Sequence, residues 1–162
     1  MAGPDTRAWT PLHVAIEAID DGGDPALLAS ALDAGADPNA WDAHRTSTPL
    51  LMAVFRGLHD CVRLLLRHGA NPDVRGDEGD TPLSWAVETR DRAMLQLVLS
   101  AGCKATLDAP AGASGLTPLG AAVRASWEEG VVDLLAAGAS PDALDLDGRT
   151  ARHWADPHVP EN

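Results

Sequence analysis

From Thr48 onward the apolar positions of the chain come in two short bursts divided by a glycine and followed by a polar run. "TPLLMAVFRG", residues 48–57, opens on Thr-Pro. The threonine hydroxyl can cap a helix N-terminus, and proline suits the first turn, where its missing donor would have been unpaired anyway. Apolar residues then lie on one face until Gly57 ends the helix. "HDCVRLLLRHG", residues 59–69, supplies a second helix closed by Gly69, a residue for which positive φ is cheap. The stretch that follows, "ANPDVRGDEGD", is rich in Asn, Pro, Asp and Gly and predicts a turn or hairpin leading into the next Thr-Pro. The predicted unit is two antiparallel helices and a hairpin.

The unit recurs. "TPL" starts at Thr10, Thr48, Thr81 and Thr117, and a degenerate "TAR" at Thr150, giving spacings of 38, 33, 36 and 33 residues. A second marker, "AGADPNA", "HGANPDV", "AGCKATL" and "AGASPDA", sets glycines at 35, 69, 102 and 138. Threonine precedes that glycine by 21 residues in the second, third and fourth units and by 25 in the first, which locates four extra residues around Asp20 to Gly23. One unit cannot bury its apolar face alone, whereas stacked copies form a continuous core in which each repeat touches its neighbours. The expected fold is an elongated all-α solenoid.

The stretches "WTPLHVA", residues 9–15, and "LLLRHGANPD", residues 64–73, resemble ankyrin repeats, marked by a T-P-L-H-x-A signature and a period of about 33 residues. The resemblance covers roughly residues 6–155 of a single domain spanning 1–162. It divides into full units at about 6–40, 41–74, 75–106 and 107–143 and a C-terminal half-cap at 144–156. It implies helix-turn-helix units joined by β-hairpin loops, with hairpin tips and first helices lining a concave face that binds other proteins.

Departures from the pattern carry their own expectations. The signature histidine survives at His13 and His153, while Leu51, Ser84 and Gly120 replace it in the middle units, which predicts that its local hydrogen bond is absent there. Arg90 and Ser126 stand where Gly57 ends a first helix, which predicts either a strained positive φ or a rebuilt turn. Glu128, Gly130 and Asp133 fall at apolar positions of the fourth unit's second helix, making that unit the weakest packed. At the end of the array, Trp154 is expected to cover the last core edge and Pro157 to limit continuation.

Composition narrows the function. A chain of 162 residues with 45% hydrophobic residues can bury a core without disulfides, and Cys61 and Cys103 read as reduced core thiols. The N-terminus shows no basic start followed by an apolar stretch, and no run of about 18 apolar residues occurs, so a cytoplasmic protein without membrane attachment is expected. The formal charge of −12, from 24 acids against 12 bases, argues against nucleic acid as the partner, since phosphate binding needs clustered Lys and Arg. It suits a basic partner, although net negative charge also simply maintains solubility.

Nothing in the sequence assembles a reaction centre, a cofactor site or a metal site, so no enzyme is expected. His59 and Cys61, two apart on a predicted helix, point to different faces. "APAGASG", residues 109–115, lacks the lysine and context of a phosphate cradle and reads as a lengthened hairpin loop. "DEGD", residues 77–80, lacks an ordered calcium loop.

What remains is a surface. Alignment of the units puts Trp41, Ala43, His44 and Ser47, then Arg75, Asp77, Glu78 and Asp80, at exposed hairpin positions. Ala111 and Leu116 continue the row, followed by Leu144, Leu146 and Arg149. First-helix positions on the same side are Phe55, Arg56, Glu88, Thr89, Arg124 and Ala125. Trp41 and Phe55 are candidate aromatic anchors, because aromatic residues and Arg dominate interface energies. Trp85 and Trp154 read as packing residues, and Trp127 fits either role. The leading expectation is a monomeric scaffold binding one protein through this face. An acidic inhibitor or immunity protein neutralising a basic toxin or nuclease is the alternative, and an enzyme with a cryptic site stands third.

Overall fold

The computed structural model describes residues 9–155. Among these residues nine helices and no strands occur. Four helix pairs follow one another: α1 (Pro11–Asp20) with α2 (Ala26–Asp33), α3 (Pro49–Phe55) with α4 (His59–Arg67), α5 (Pro82–Glu88) with α6 (Arg92–Ser100), and α7 (Pro118–Arg124) with α8 (Glu128–Ala136). A short α9 (Ala151–Trp154) closes the array. The first helices form one row, α1 on α3, α5, α7 and α9, and α4, α6 and α8 form the other. This is the repeat solenoid that the periodicity predicts.

Each first helix begins with proline after an extended threonine. The hydroxyls of Thr48, Thr81 and Thr117 accept the backbone N–H of Leu51, Ser84 and Gly120 at 3.4, 3.0 and 3.1 Å. Thr10 instead pairs with His13 Nδ1 at 2.8 Å. The third unit rebuilds what its missing histidine would have supplied: Ser84 Oγ accepts Thr81 N–H at 2.9 Å and completes a reciprocal cap. The histidine's own bond is absent from that unit, and a serine bond stands in its place.

The core is a repeat of the same few positions. Leu12, Leu50, Leu83 and Leu119 of the Thr-Pro-Leu motifs are buried, as are Ala53, Ala86 and Ala122 one turn on. Leu28, Val62, Leu65, Leu95, Val98 and Leu134 meet them from the second helices. Each buried leucine contributes about 1.5–3 kcal/mol relative to exposure, and nearly all of that depends on the neighbouring unit being present. Cys61 and Cys103 are free, buried members of this core, and burial pushes the Cys103 thiol up to about 11.

The irregularities have local solutions. The four extra residues of the first unit lengthen α1 to 10 residues, against 7 in α3, α5 and α7. The interhelix turn keeps its left-handed geometry at all three later sites: Gly57 has φ 69°, Arg90 φ 53° and Ser126 φ 51°. Of the two alternatives for Arg90 and Ser126, strain is the one realised.

In the fourth unit, expected to be the weakest packed, Trp127 covers Gly130. Its ring is 8% exposed and lies over Gly130, where a Cβ would stand 2.1 Å from Cε3. Asp133 leaves the core and receives Arg92 at 2.8 and 2.9 Å and Gln96 at 3.0 Å from α6. Glu128 is exposed in the first turn of α8, where a negative charge complements the helix dipole. At the C-terminal end, Trp154 packs beside Gly120 of α7, as a cap should, while Pro157 lies outside the described residues.

The hairpins are minimal. Each is closed by one backbone bond, Asp42 N–H to Ser47 O, Gly76 to Asp80, Ala111 to Leu116 and Asp145 to Arg149, at 3.1, 2.8, 3.1 and 2.8 Å. Ala111 with Leu116 forms an isolated antiparallel bridge. A second set of bonds joins successive units. Asn39 Oδ1 accepts Asn71 N–H at 2.7 Å, Asp73 Oδ1 accepts Thr106 N–H at 2.9 Å, and Asp108 Oδ1 accepts Ser140 N–H at 2.7 Å. The polar residues that predict only turns thus also lock each repeat to the next.

Two outcomes follow. Arg90→Gly and Ser126→Gly should each stabilise the protein by about 1 kcal/mol in urea unfolding, because glycine removes the left-handed penalty. Gly130→Ala should destabilise by about 1–3 kcal/mol and red-shift tryptophan emission as the Trp127 ring is displaced. An unchanged spectrum would show that this ring does not seat on Gly130.

Candidate protein-binding face

The face is built on a carboxylate set under three of the four hairpins. Asp145, buried, accepts the N–H of Asp147 at 3.0 Å, of Arg149 at 2.8 Å and of the Trp154 indole at 3.0 Å. Asp42 holds the equivalent place in the second unit and accepts both the hydroxyl and the N–H of Thr46. Burial works to raise the Asp42 carboxyl, but the Thr46 and Ser47 hydrogen bonds and nearby His13 prevail and hold it below the usual range. The third unit has Gly76 there. Its missing side chain leaves room for Asp80, from the other end of the hairpin, whose Oδ1 would lie 2.4 Å from a Cβ on Gly76. Trp85 Nε1 then donates to Asp80 Oδ2 at 2.8 Å, as Trp154 does to Asp145. Asp80 is therefore a half-buried support for Trp85 as well as a surface charge.

Two shallow grooves run along this side. The first, of about 240 Å³, lies among α1, α3, α5 and the second hairpin, and its lining includes Trp9, Met52, Phe55, Asp80 and Trp85. Phe55 is 56% exposed and stands edge-on to Trp85, with ring centroids 4.8 Å apart and planes at 75°. Buried His13 forms the inner wall; burial lowers its pKa against the pull of Asp42, and its Nε2 faces the Ser47 backbone without the geometry of a hydrogen bond. The second groove, of about 390 Å³, lies between α5 and α7 and is lined by Glu88, Arg90, Ser114, Leu116 and Arg124. Burial, with the neighbouring Asp80 charge, pushes the Glu88 carboxyl above its ordinary value.

The grooves gather Ser47, Phe55, Arg56 and Asp80 into one set and Glu88, Leu116, Arg124 and Ala125 into the other. Leu116 is only 5% exposed, a core position at the hairpin base rather than a tip, and Ala111 is equally buried beside it. Trp41, His44, Arg75, Asp77, Glu78, Thr89, Leu144, Leu146 and Arg149 lie outside both linings. Trp41 is half-buried beneath the Arg45 guanidinium, 5.6 Å from the ring centroid. Asp77 and Glu78 are exposed, and so are Leu144 and Leu146.

Several of the predicted charges are already engaged. Arg56 pairs with Glu17 and Asp20 of α1. Arg75 donates to Pro110 O at 3.0 Å, tying the third hairpin to the fourth. Arg149 and Arg124 lie over the Trp154 ring at 5.2 and 5.6 Å. Thr89 Oγ1 donates to Trp85 O at 2.9 Å at the end of α5. Trp9 is the wall residue that sequence reasoning missed; its place just before Thr10, where it was read only as part of the motif, was the available signal.

Other candidate chemistry is absorbed by the fold. His59 Nε2 pairs with Asp91 at 2.8 Å, and Asp91 also caps α6 by accepting Met94 N–H at 3.0 Å. Among the described residues no three His, Cys, Asp or Glu side chains are grouped to hold a metal, and no helix is long and apolar enough to cross a membrane.

Comparison with known proteins adds the family. A family model described as ankyrin repeats in 3 copies matches residues 12–109. The chain is 34% identical over 145 residues to the B-cell lymphoma 3 protein homolog of Mus musculus, covering 88% of this chain and 32% of that protein. It is 39% identical over 111 residues to Protein PhlB of Serratia liquefaciens, covering 68% and 48% of the two chains. It is 41% identical over 98 residues to the transient receptor potential channel pyrexia of Drosophila melanogaster, covering 60% and 10%. The chain thus spans about a third of the length of the B-cell lymphoma 3 proteins it matches.

The Glu88 environment generates a pH-dependent outcome. A carboxyl raised in the folded state makes its ionised form unfavourable, so folding gains when Glu88 is protonated and loses that gain as pH rises through its folded pKa. Glu88→Gln should raise the melting temperature at neutral pH, with the advantage fading below the ordinary glutamate value of 4.5. Melting curves across that range check it, and a Gln variant less stable at neutral pH would contradict it.

Proposed function

The chain belongs to the ankyrin-repeat family, and on that premise we propose that it is a non-enzymatic protein-interaction module whose partner lies along the hairpin and first-helix side. The observation that carries the reading is the exposed Phe55, held edge-on to Trp85 within an open groove that passes along several units. A rigid aromatic group on a packed helix row loses little entropy on binding, which is what an interface anchor requires. Arg56 lines the first groove and, like Arg75 and Arg149, is fixed by internal contacts, whereas Asp77, Glu78 and Glu88 remain exposed to steer a basic partner. We place the module in the cytoplasm as a monomer, in keeping with two free, buried cysteines.

A second reading, an inhibitor or immunity protein that neutralises a basic toxin or nuclease, uses the same face. The formal charge of −12 favours it. Co-expression with a toxin encoded beside this chain separates the two readings: protection supports the inhibitor, and unprotected cells remove it.

The face itself is tested with a partner recovered from the native host. Phe55→Ala should weaken binding by about tenfold or more, Trp41→Ala by less, and Asp77→Lys should slow association at low salt. Arg67→Ala, on the outer helix row, should leave affinity unchanged. Loss confined to Arg67→Ala would move the interface to the other side of the stack.

A further inference from the structure

We propose that the aromatic end of the first groove receives an arginine side chain of the partner protein, its guanidinium lying against Phe55 and Trp85 and its charge shared by Asp80 and Glu88. The inference rests on the binding face proposed above and names the chemistry of what that face takes.

Three features of the groove converge on one occupant. The aromatic wall is available: Phe55 is more than half exposed, and its contact with Trp85 is edge-to-face, which leaves ring surface open to a planar cation. The carboxylate beside it is held in place, because the Trp85 indole donates to Asp80 Oδ2 at 2.8 Å. One turn beyond Trp85, at the edge of the adjoining second groove, Glu88 brings a second carboxyl close enough to Asp80 for the two charges to oppose each other. An arriving cation reverses that opposition.

Among the described residues no base supplies the cation. Neither Asp80 nor Glu88 forms an ion pair among these residues: Arg56 is turned to Glu17 and Asp20, Arg75 to the Pro110 carbonyl and Arg124 to the Trp154 ring, while Arg90, which lines the second groove with Glu88, pairs with neither carboxyl. Among the described residues the site is thus apolar on one side and carries two carboxyls without an ion pair on the other. Both an arginine and a lysine would satisfy the charge. The flat aromatic wall selects arginine, whose planar, weakly hydrated guanidinium stacks on rings while its N–H groups reach carboxylates.

The test uses the full chain labelled with 15N and titrated with N-acetyl-arginine amide, following the Trp85 indole N–H. A saturable shift is expected with the arginine probe, a smaller one with N-acetyl-lysine amide and none with N-acetyl-citrulline amide, which keeps the shape and lacks the charge. Glu88→Gln and Phe55→Ala, each verified as folded by circular dichroism, should weaken the arginine probe by roughly two- to fivefold. Absence of a saturable shift, equal response to citrulline, or indifference to both substitutions would overturn the assignment. If the arginine probe fails while Phe55→Ala still releases the partner, the arginine inference falls and the binding face stands. If the probe binds while every face variant retains the partner, the face reading falls, and with it the assignment of the arginine to that partner.

Discussion

The structure depends on the contact between one first helix and the next. Leu50, Leu83 and Leu119, with Ala53, Ala86 and Ala122 a turn further on, present the same apolar strip in every full unit after the first. Seven-residue helices are too short to persist in water, so each is stable only while its strip is covered by the adjacent copy. That requirement explains why the chain repeats itself, why extra residues fall at the end of α1 or in a hairpin loop, and why the final copy shrinks to a four-residue helix roofed by Trp154. It also explains the tolerance of the fourth unit, where a tryptophan ring and a glycine together reproduce the volume that aliphatic side chains supply elsewhere.

Polar groups set the spacing that the apolar strip cannot. Asn39, Asp73 and Asp108 each bond the backbone of the following unit, so a turn residue in one copy holds the loop of the next. The hairpin carboxylates act within a unit instead, bracing each hairpin or the indole beside it. Asp145 and Asp80 reach the indole of their own unit from opposite ends of the hairpin, one position having exchanged its carboxylate for a glycine and recovered it four residues later. An acidic chain therefore does not carry its charge uniformly outward. Part of it is structural, and part is left facing the groove.

That division bears on how the face works. Charges fixed by internal hydrogen bonds hold their geometry and need not be reorganised when a partner arrives, whereas exposed loop carboxylates act at longer range and lose influence in salt. The edge-on pair of Phe55 and Trp85 sits beside one of the fixed charges, Asp80. On the binding face proposed above, specificity would come from the match between a rigid apolar ledge and the sign of the charge beside it.

Much of this was open to sequence reading. The Thr-Pro helix starts, the glycine stops, the unit count and the four-residue insertion all follow from local chemistry repeated at a fixed period, and such signals survive without knowledge of neighbours. The positive φ at Arg90 and Ser126 was legible as one of two outcomes, since the turn had to be accommodated somehow. What only the tertiary structure decided are the matters that depend on a second unit. They include whether Trp127 closes a gap, whether Asp80 points outward or under Trp85, which arginines are spent on contacts between units, and that Leu116 sits in the core while Trp9 forms a groove wall. The reason is physical: periodicity records which face of a residue is apolar, whereas the direction of a polar side chain is chosen by the partners that stacking brings within reach.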